Sequence, residues 1–142
     1  MLLGTYAHAL DGKGRLAVPA KFRPDLGEGV VLTRGIERCI FAFGLLQWQA
    51  LYNKLVNLPL TSSDSRDAAR LFLSQATHCE LDRQGRILIP GFLREYANLD
   101  SEVIVVGVGS RVEIWNPARW REVTTRVEED AELGTRLASL GI

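Results

Sequence analysis

One decapeptide is written twice in this chain, as LDGKGRLAVP from Leu10 to Pro19 and as LDRQGRILIP from Leu81 to Pro90. Asp11 and Asp82 stand 71 positions apart, and Arg15 with Arg86, Pro19 with Pro90 and Arg23 with Arg94 keep that offset. After a one-residue slip, FAFGLLQW (Phe41 to Trp48) matches EIWNPARW (Glu113 to Trp120), aligning Phe43 with Trp115 and Trp48 with Trp120. So many matches in order identify a tandem duplication, and the fold must be two copies of one unit.

Each unit reads alike. A short strand leads to the Asp, a four-residue turn follows, and RLAVP or RILIP alternates as a second strand. D-x-x-G fits a type I turn, in which Asp accepts from the following amides and Gly tolerates a positive φ. Alternation sends Leu16 and Val18, with Leu10, towards the core and Arg15 to the opposite face; Arg86 stands likewise to Ile87 and Ile89. Pro19 and Pro90 suit the first turn of a short helix, AKFRPDL or GFLREYANL. The strands Val30–Arg34 and CIFAF then match EVIVVGV and RVEIW.

A longer helix closes each unit. Trp48, Leu51, Tyr52 and Leu55 form an amphipathic stripe in the first. In the second, Asn116 and Pro117 give an N-cap and first helical residue ahead of Trp120, Val123 and Val127, whereas Gly44-Leu45 is a weaker start. Between the units, Pro59 ends one helix, and a Ser/Asp cluster caps another carrying Ala68, Leu71 and Phe72. The expected organisation is a first domain over 4–58, a helical linker over 59–74, a second domain over 75–127 and a tail over 128–142. The tail, polar and then apolar, reads equally as a loose end or as a last helix.

Composition narrows the function. With 46% apolar and 24% charged residues the chain reads as a folded, soluble domain, and its net charge of zero means charge must be read locally. Residues 8–23 carry Lys13, Arg15, Lys21 and Arg23 against Asp11, a local +3, whereas residues 80–95 balance to zero. One basic turn face on a neutral protein suits phosphate backbones. In a major groove, Lys13 or Arg15 would reach guanine edges and Gln84 adenine edges. Asp11 and Asp82, with Gly14 and Gly85, are expected to organise the turns.

Cys39 and Cys79 lack metal-ligand spacing and read as free thiols in a reducing cytoplasm. His8 and His78 flank the repeats and could be imagined beside Cys79, but His78 and Cys79 are strand neighbours on opposite faces and no acidic third partner stands out, so no nucleophile–base set emerges. The chain is expected to be no enzyme, with no cofactor, metal or small-molecule substrate. MLLGTYAHAL lacks the basic start of a signal peptide, and no apolar run reaches the roughly 20 residues of a membrane span, so a cytoplasmic protein without a membrane partner is expected.

The paired L-D-x-x-G-R-[IL]-x-[IV]-P motifs resemble the SpoVT/AbrB-type swapped-hairpin domain. Two in register, with GTYAHALDGKGRLAVPAKFR and FLREYANLDSEVIVVGVGSRVEIW, closely resemble the MraZ family from about Gly4 to the helix after Trp120. The resemblance implies an α+β fold, a tandem-repeat swapped-hairpin AbrB-type β-barrel forming a pseudo-dimer within one chain, with flanking helices. It implies a nucleoid-associated transcriptional regulator on double-stranded DNA, forming ring-like homo-oligomers on repeated boxes upstream of its own division and cell-wall genes. The family's D-x-x-x-R motif falls on Asp11 with Arg15 and on Asp82 with Arg86; Lys13 and Arg83 share those loops, giving Lys13, Arg15, Arg83 and Arg86 as DNA-binding candidates. Leu2, Leu3 and the helix faces with Trp48 and Trp120 are candidates for subunit contacts, although each tryptophan also fits an intramolecular core. Phe43-Gly44 replaces the family's usual Tyr-Pro-like pair, and SQAT (Ser74 to Thr77) replaces SGAT. AbrB-type domains also occur in antitoxins, but those carry one motif and a disordered tail.

Overall fold

The first strand of each repeat pairs with the other repeat and not with its own. The computed structural model describes Met1–Ile142. In the first repeat, β1 is Leu3–Ala9, β2 Arg15–Ala17, α1 Arg23–Leu26, β3 Val30–Arg34, β4 Ile40–Gly44 and α2 Leu45–Val56. Helix α3, Ser63–Leu73, forms the link. The second repeat runs through β5 (Thr77–Cys79), β6 (Arg86–Leu88), α4 (Gly91–Tyr96), β7 (Glu102–Val108), β8 (Val112–Trp115) and α5 (Pro117–Glu129). Strand β1 pairs with β7, and β5 with β3, in an antiparallel sheet of order β1-β7-β8-β4-β3-β5. Strands β2 and β6 form a separate antiparallel ribbon. The fold is thus the α+β swapped-hairpin pseudo-dimer with flanking helices.

Register locates the internal two-fold axis. It passes between Leu16 and Ile87 in the ribbon, and between Phe41 and Glu113 in the sheet. The expected single slip is in fact two changes of offset. Val30 faces Cys79 and Val103 faces His8, so these valines are equivalent at 73 positions, before the offset returns to 72 at Phe41 and Glu113. The second repeat has two more residues before β7 and a hairpin shorter by one; loops carry no periodicity to reveal this.

Alternation along the hairpins builds the inner core. Leu16, Val18, Ile87 and Ile89 are buried with Phe22 and Leu26 from the first repeat's short helical turns, Leu93 and Ala97 from the second's, and Val30, Leu32, Val103 and Val105 from the sheet. Each large apolar side chain buried there stabilises the fold by about 1.5–3 kcal/mol. Leu2 belongs to this core too, which corrects its expected place at a subunit contact; Leu3 stays exposed.

The sheet's other face carries Cys39, Phe41, Phe43, Val106 and Trp115 under the long helices. Trp48 rests on Phe43 with ring centres 5.8 Å apart, and Trp120 on Trp115 at 5.6 Å. The aligned tryptophans therefore serve the same intramolecular contact. Asn116 caps α5 by accepting from the amides of Ala118 and Arg119, whereas α2 starts at Gly44 with no side-chain cap. Ser62 caps α3, whose Phe72 stacks on Phe41 and whose Phe72 and Leu71 carbonyls accept from Thr33 and Arg34. The linker is docked, and SQAT passes from it into β5 without a glycine. The tail forms a last helix, α6, at Leu133–Ala138. Both cysteines are free, and burial pushes both thiols up. No helix is long and apolar enough to cross a membrane.

Candidate nucleic-acid interface

Both D-x-x-G turns close the same way. Asp11 exchanges backbone bonds with Arg15 and Gly14: its amide donates to Arg15 O at 3.0 Å, and its carbonyl accepts from Gly14 N at 3.0 Å. Its Oδ1 accepts from the amides of Lys13 and Arg15, each at 2.9 Å, and its Oδ2 accepts from Arg15 Nε at 2.6 Å. Asp82 repeats the scheme, taking the amides of Gln84 (2.8 Å) and Arg86 (2.9 Å) on Oδ1 and Arg86 Nε on Oδ2 at 2.9 Å. Gly14 and Gly85 sit at φ +83° and +75°, which glycine reaches without strain.

These bonds settle the carboxylates electrostatically. The Arg15 amide, with the Arg15 side chain and the Lys13 amide, lowers Asp11 from 3.8 to about 2. Asp82 is lowered first by the Arg86 amide, then by its side chain and by Gln84. Both stay ionised near neutrality and hold their arginines by Nε, which leaves the Nη edge of Arg15 for an outside acceptor.

The ribbon joins the two motifs. Arg15 faces Leu88 and Arg86 faces Ala17, so both arginines leave the same outer face, opposite Leu16 and Ile87. The antiparallel pairing puts one turn at each end. Lys13 and Arg83, both exposed, stand at opposite ends, with the partly exposed Arg15 and Arg86 between them. Gln84 is exposed beside Arg83. The copies differ in one contact: Arg86 Nη1 also lies 3.8 Å from Asp11 Oδ2, so Arg86 answers to two carboxylates and Arg15 to one.

Two residues belong to this region beyond those assigned from the sequence. Arg94 lies against Gly14, and Arg23 against Gly85. Their shared offset of 71 was the available signal; that each sits beside the other repeat's turn depends on the strand exchange. His78 and Cys79 lie side by side on β5, and no group of three or more His, Cys, Asp or Glu could hold a metal ion.

The repeat boundary recurs in the comparison with known proteins. The family model described as "MraZ protein, putative antitoxin-like" matches residues 1–71 and again 72–137. The chain belongs to the MraZ family. A relative named "Transcriptional regulator MraZ" from Moorella thermoacetica is 51% identical over 132 residues, covering 93% of this chain and 92% of that protein. One of the same name from Desulfitobacterium hafniense is 49% identical over 143 residues and covers both chains completely. A third, from Caldicellulosiruptor saccharolyticus, is 47% identical over 143 residues, again covering both completely. The two successive MraZ matches change over within α3, the helix that links the swapped hairpins.

Proposed function

We propose that this MraZ-family chain is a sequence-specific transcriptional regulator that binds double-stranded DNA through the β2–β6 ribbon. The observation that carries the reading is the pair Arg15 and Arg86 on one outward face of the ribbon, each guanidinium held by a buttressing carboxylate, with Lys13 and Arg83 exposed in the turns at its two ends. Fixed forks recognise guanine edges bidentately, while Lys13 and Arg83 at the ends suit phosphates. The relatives' name, transcriptional regulator, supports the same reading.

Four such cations on a chain of zero net charge bind weakly alone. Several copies in a ring-like homo-oligomer, each on one of a series of repeated boxes, gain avidity without new contacts. The boxes proposed lie upstream of the chain's own division and cell-wall gene cluster, which places the protein in the cytoplasm at the nucleoid. It acts without a cofactor or small-molecule substrate, and not as an enzyme. The domains at 4–58 and 75–127, joined by 59–74, act as one binding unit. An antitoxin-type role gains nothing from the tail, which is helical at α6.

Gel-shift titration on a duplex of the gene's own upstream region tests this reading. The expected result is a complex that shuffling the repeated boxes abolishes and that weakens steeply with salt. Equal affinity for the native and shuffled duplexes would contradict it.

A further inference from the structure

Arg23 and Arg94 take no part in any ion pair, yet each is seated with care. Arg94, on α4, donates from Nε to Ile89 O at 3.1 Å and lays its guanidinium on Gly14 of the other repeat. A Cβ at Gly14 would lie 2.8 Å from Arg94 Cζ and 2.9 Å from its Nε. Arg23 mirrors this, donating from Nε to Val18 O at 3.1 Å and covering Gly85, where a Cβ would lie 2.5 Å from its Cζ. The adjoining strand grips the same glycine peptides, since Ile89 N donates to Gly14 O at 3.0 Å and Val18 N to Gly85 O at 2.9 Å.

We infer that Arg23 and Arg94 are positioning residues for DNA recognition, each setting the recognition turn of the opposite repeat. This rests on the reading of the ribbon as the DNA contact. A planar, always-charged group tied at Nε makes a flat, rigid seat for a peptide, which the flexible point charge of lysine does not. Gly14 is followed directly by Arg15, and Gly85 by Arg86, so the seat fixes where each recognition arginine leaves the turn. Each DNA-contacting turn is therefore composite: Lys13 and Arg15 from one repeat are aimed by Arg94 of the other, and Arg83 and Arg86 are aimed by Arg23. Glycine is required at both turns for φ, and a Cβ at either would push its guanidinium away.

Amide hydrogen exchange on the full-length free protein reads this directly. Arg94→Ala is expected to speed exchange at the amides of Gly14 and Arg15 about tenfold, the loss of one supporting interaction, while leaving Gly85 and Arg86 unchanged. Arg23→Ala is expected to do the reverse. Faster exchange in the variant's own repeat, or equally in both turns, would overturn the assignment. Arg94→Lys retains the charge without the flat seat and is expected to show the same turn-specific pattern; it serves if the alanine variant does not fold.

DNA binding gives the second readout. Arg94→Ala combined with Lys13→Ala is expected to cost less than the product of the single effects, whereas combined with Arg83→Ala the effects should multiply. Multiplication with Lys13→Ala, together with a salt slope lower by about one phosphate, would make Arg94 a direct backbone contact and overturn the positioning role. The exchange measurement needs no DNA, so failure of the DNA reading and failure of this one are distinguishable.

Discussion

Leu16 and Ile87 face each other at the centre of the β2–β6 ribbon, and the internal two-fold axis passes between them. Both are buried, at 1% and 2% exposure, and they belong to different repeats, so the core of neither repeat is complete alone. Leu16→Ala is expected to cost about 2–5 kcal/mol through lost burial and an incompletely refilled cavity. Unfolding should remain a single transition, with tryptophan fluorescence and far-UV circular dichroism coincident. Two separated transitions would show that the repeats unfold independently despite their exchanged strands.

Gly14 combines a left-handed φ with a seat already filled by Arg94. Gly14→Ala is therefore expected to destabilise by about 1–3 kcal/mol, as incompatible left-handed substitutions do. Ala131→Gly, in the turn before α6, is an exposed control expected to lie within about 0.5 kcal/mol of wild type. Chemical denaturation measures both.

Asp11 gives the fold an acid dependence of definite sign. Its carboxyl is lowered from 3.8 to about 2, chiefly by the Arg15 amide, so below 3.8 the unfolded chain takes up the proton first. The turn's contribution is complete above 3.8 and is lost as pH falls through about 2. Asp82 is lowered in the same direction and adds to the effect. Asp11→Asn should lower the melting temperature near neutrality and flatten its fall between about pH 4 and 2. An unchanged acid limb would mean that the carboxylate is not engaged in the turn.

Glu113 breaks the internal symmetry, since its mate across the axis is Phe41. It is buried at 8% exposure, accepts from Trp115 Nε1 at 3.0 Å and pairs with Arg111, whose guanidinium lies 4.5 Å from the Phe41 ring centre. Glu113→Ala strands both partners and is expected to cost about 2–4 kcal/mol. Trp115 emission should shift at the same time.

Much of this was legible because particular residues act locally. Asp11, Gly14 and Pro19, with their counterparts, mark turn, strand and short helix, and Asn116 and Ser62 mark helix starts. What the residues alone leave open is set at longer range. The pairing of β1 with β7 joins strands far apart in the chain, and only the family resemblance implied it. A helical stripe at Trp48 does not say what covers it; Phe43 on the neighbouring strand does. Alternation in VEIW would turn Glu113 outward to water, but long helices cover that face and Arg111 neutralises it. Among the candidate contacts, Lys13, Arg15, Arg83 and Arg86 could be named from the motif. Arg23 and Arg94 could not be placed against the turns they touch without the exchanged strands.

Titration of Arg15→Ala against the upstream duplex, with the melting curve and oligomer size checked as wild type, shows whether the ribbon reads DNA through its buttressed arginines. Box-specific binding is expected to be lost in this variant, by about 1–3 kcal/mol for a fork that serves a base edge. Arg86→Ala, whose guanidinium is already shared between Asp82 and Asp11, is expected to weaken binding less. Undiminished affinity in a folded Arg15→Ala protein would contradict the account.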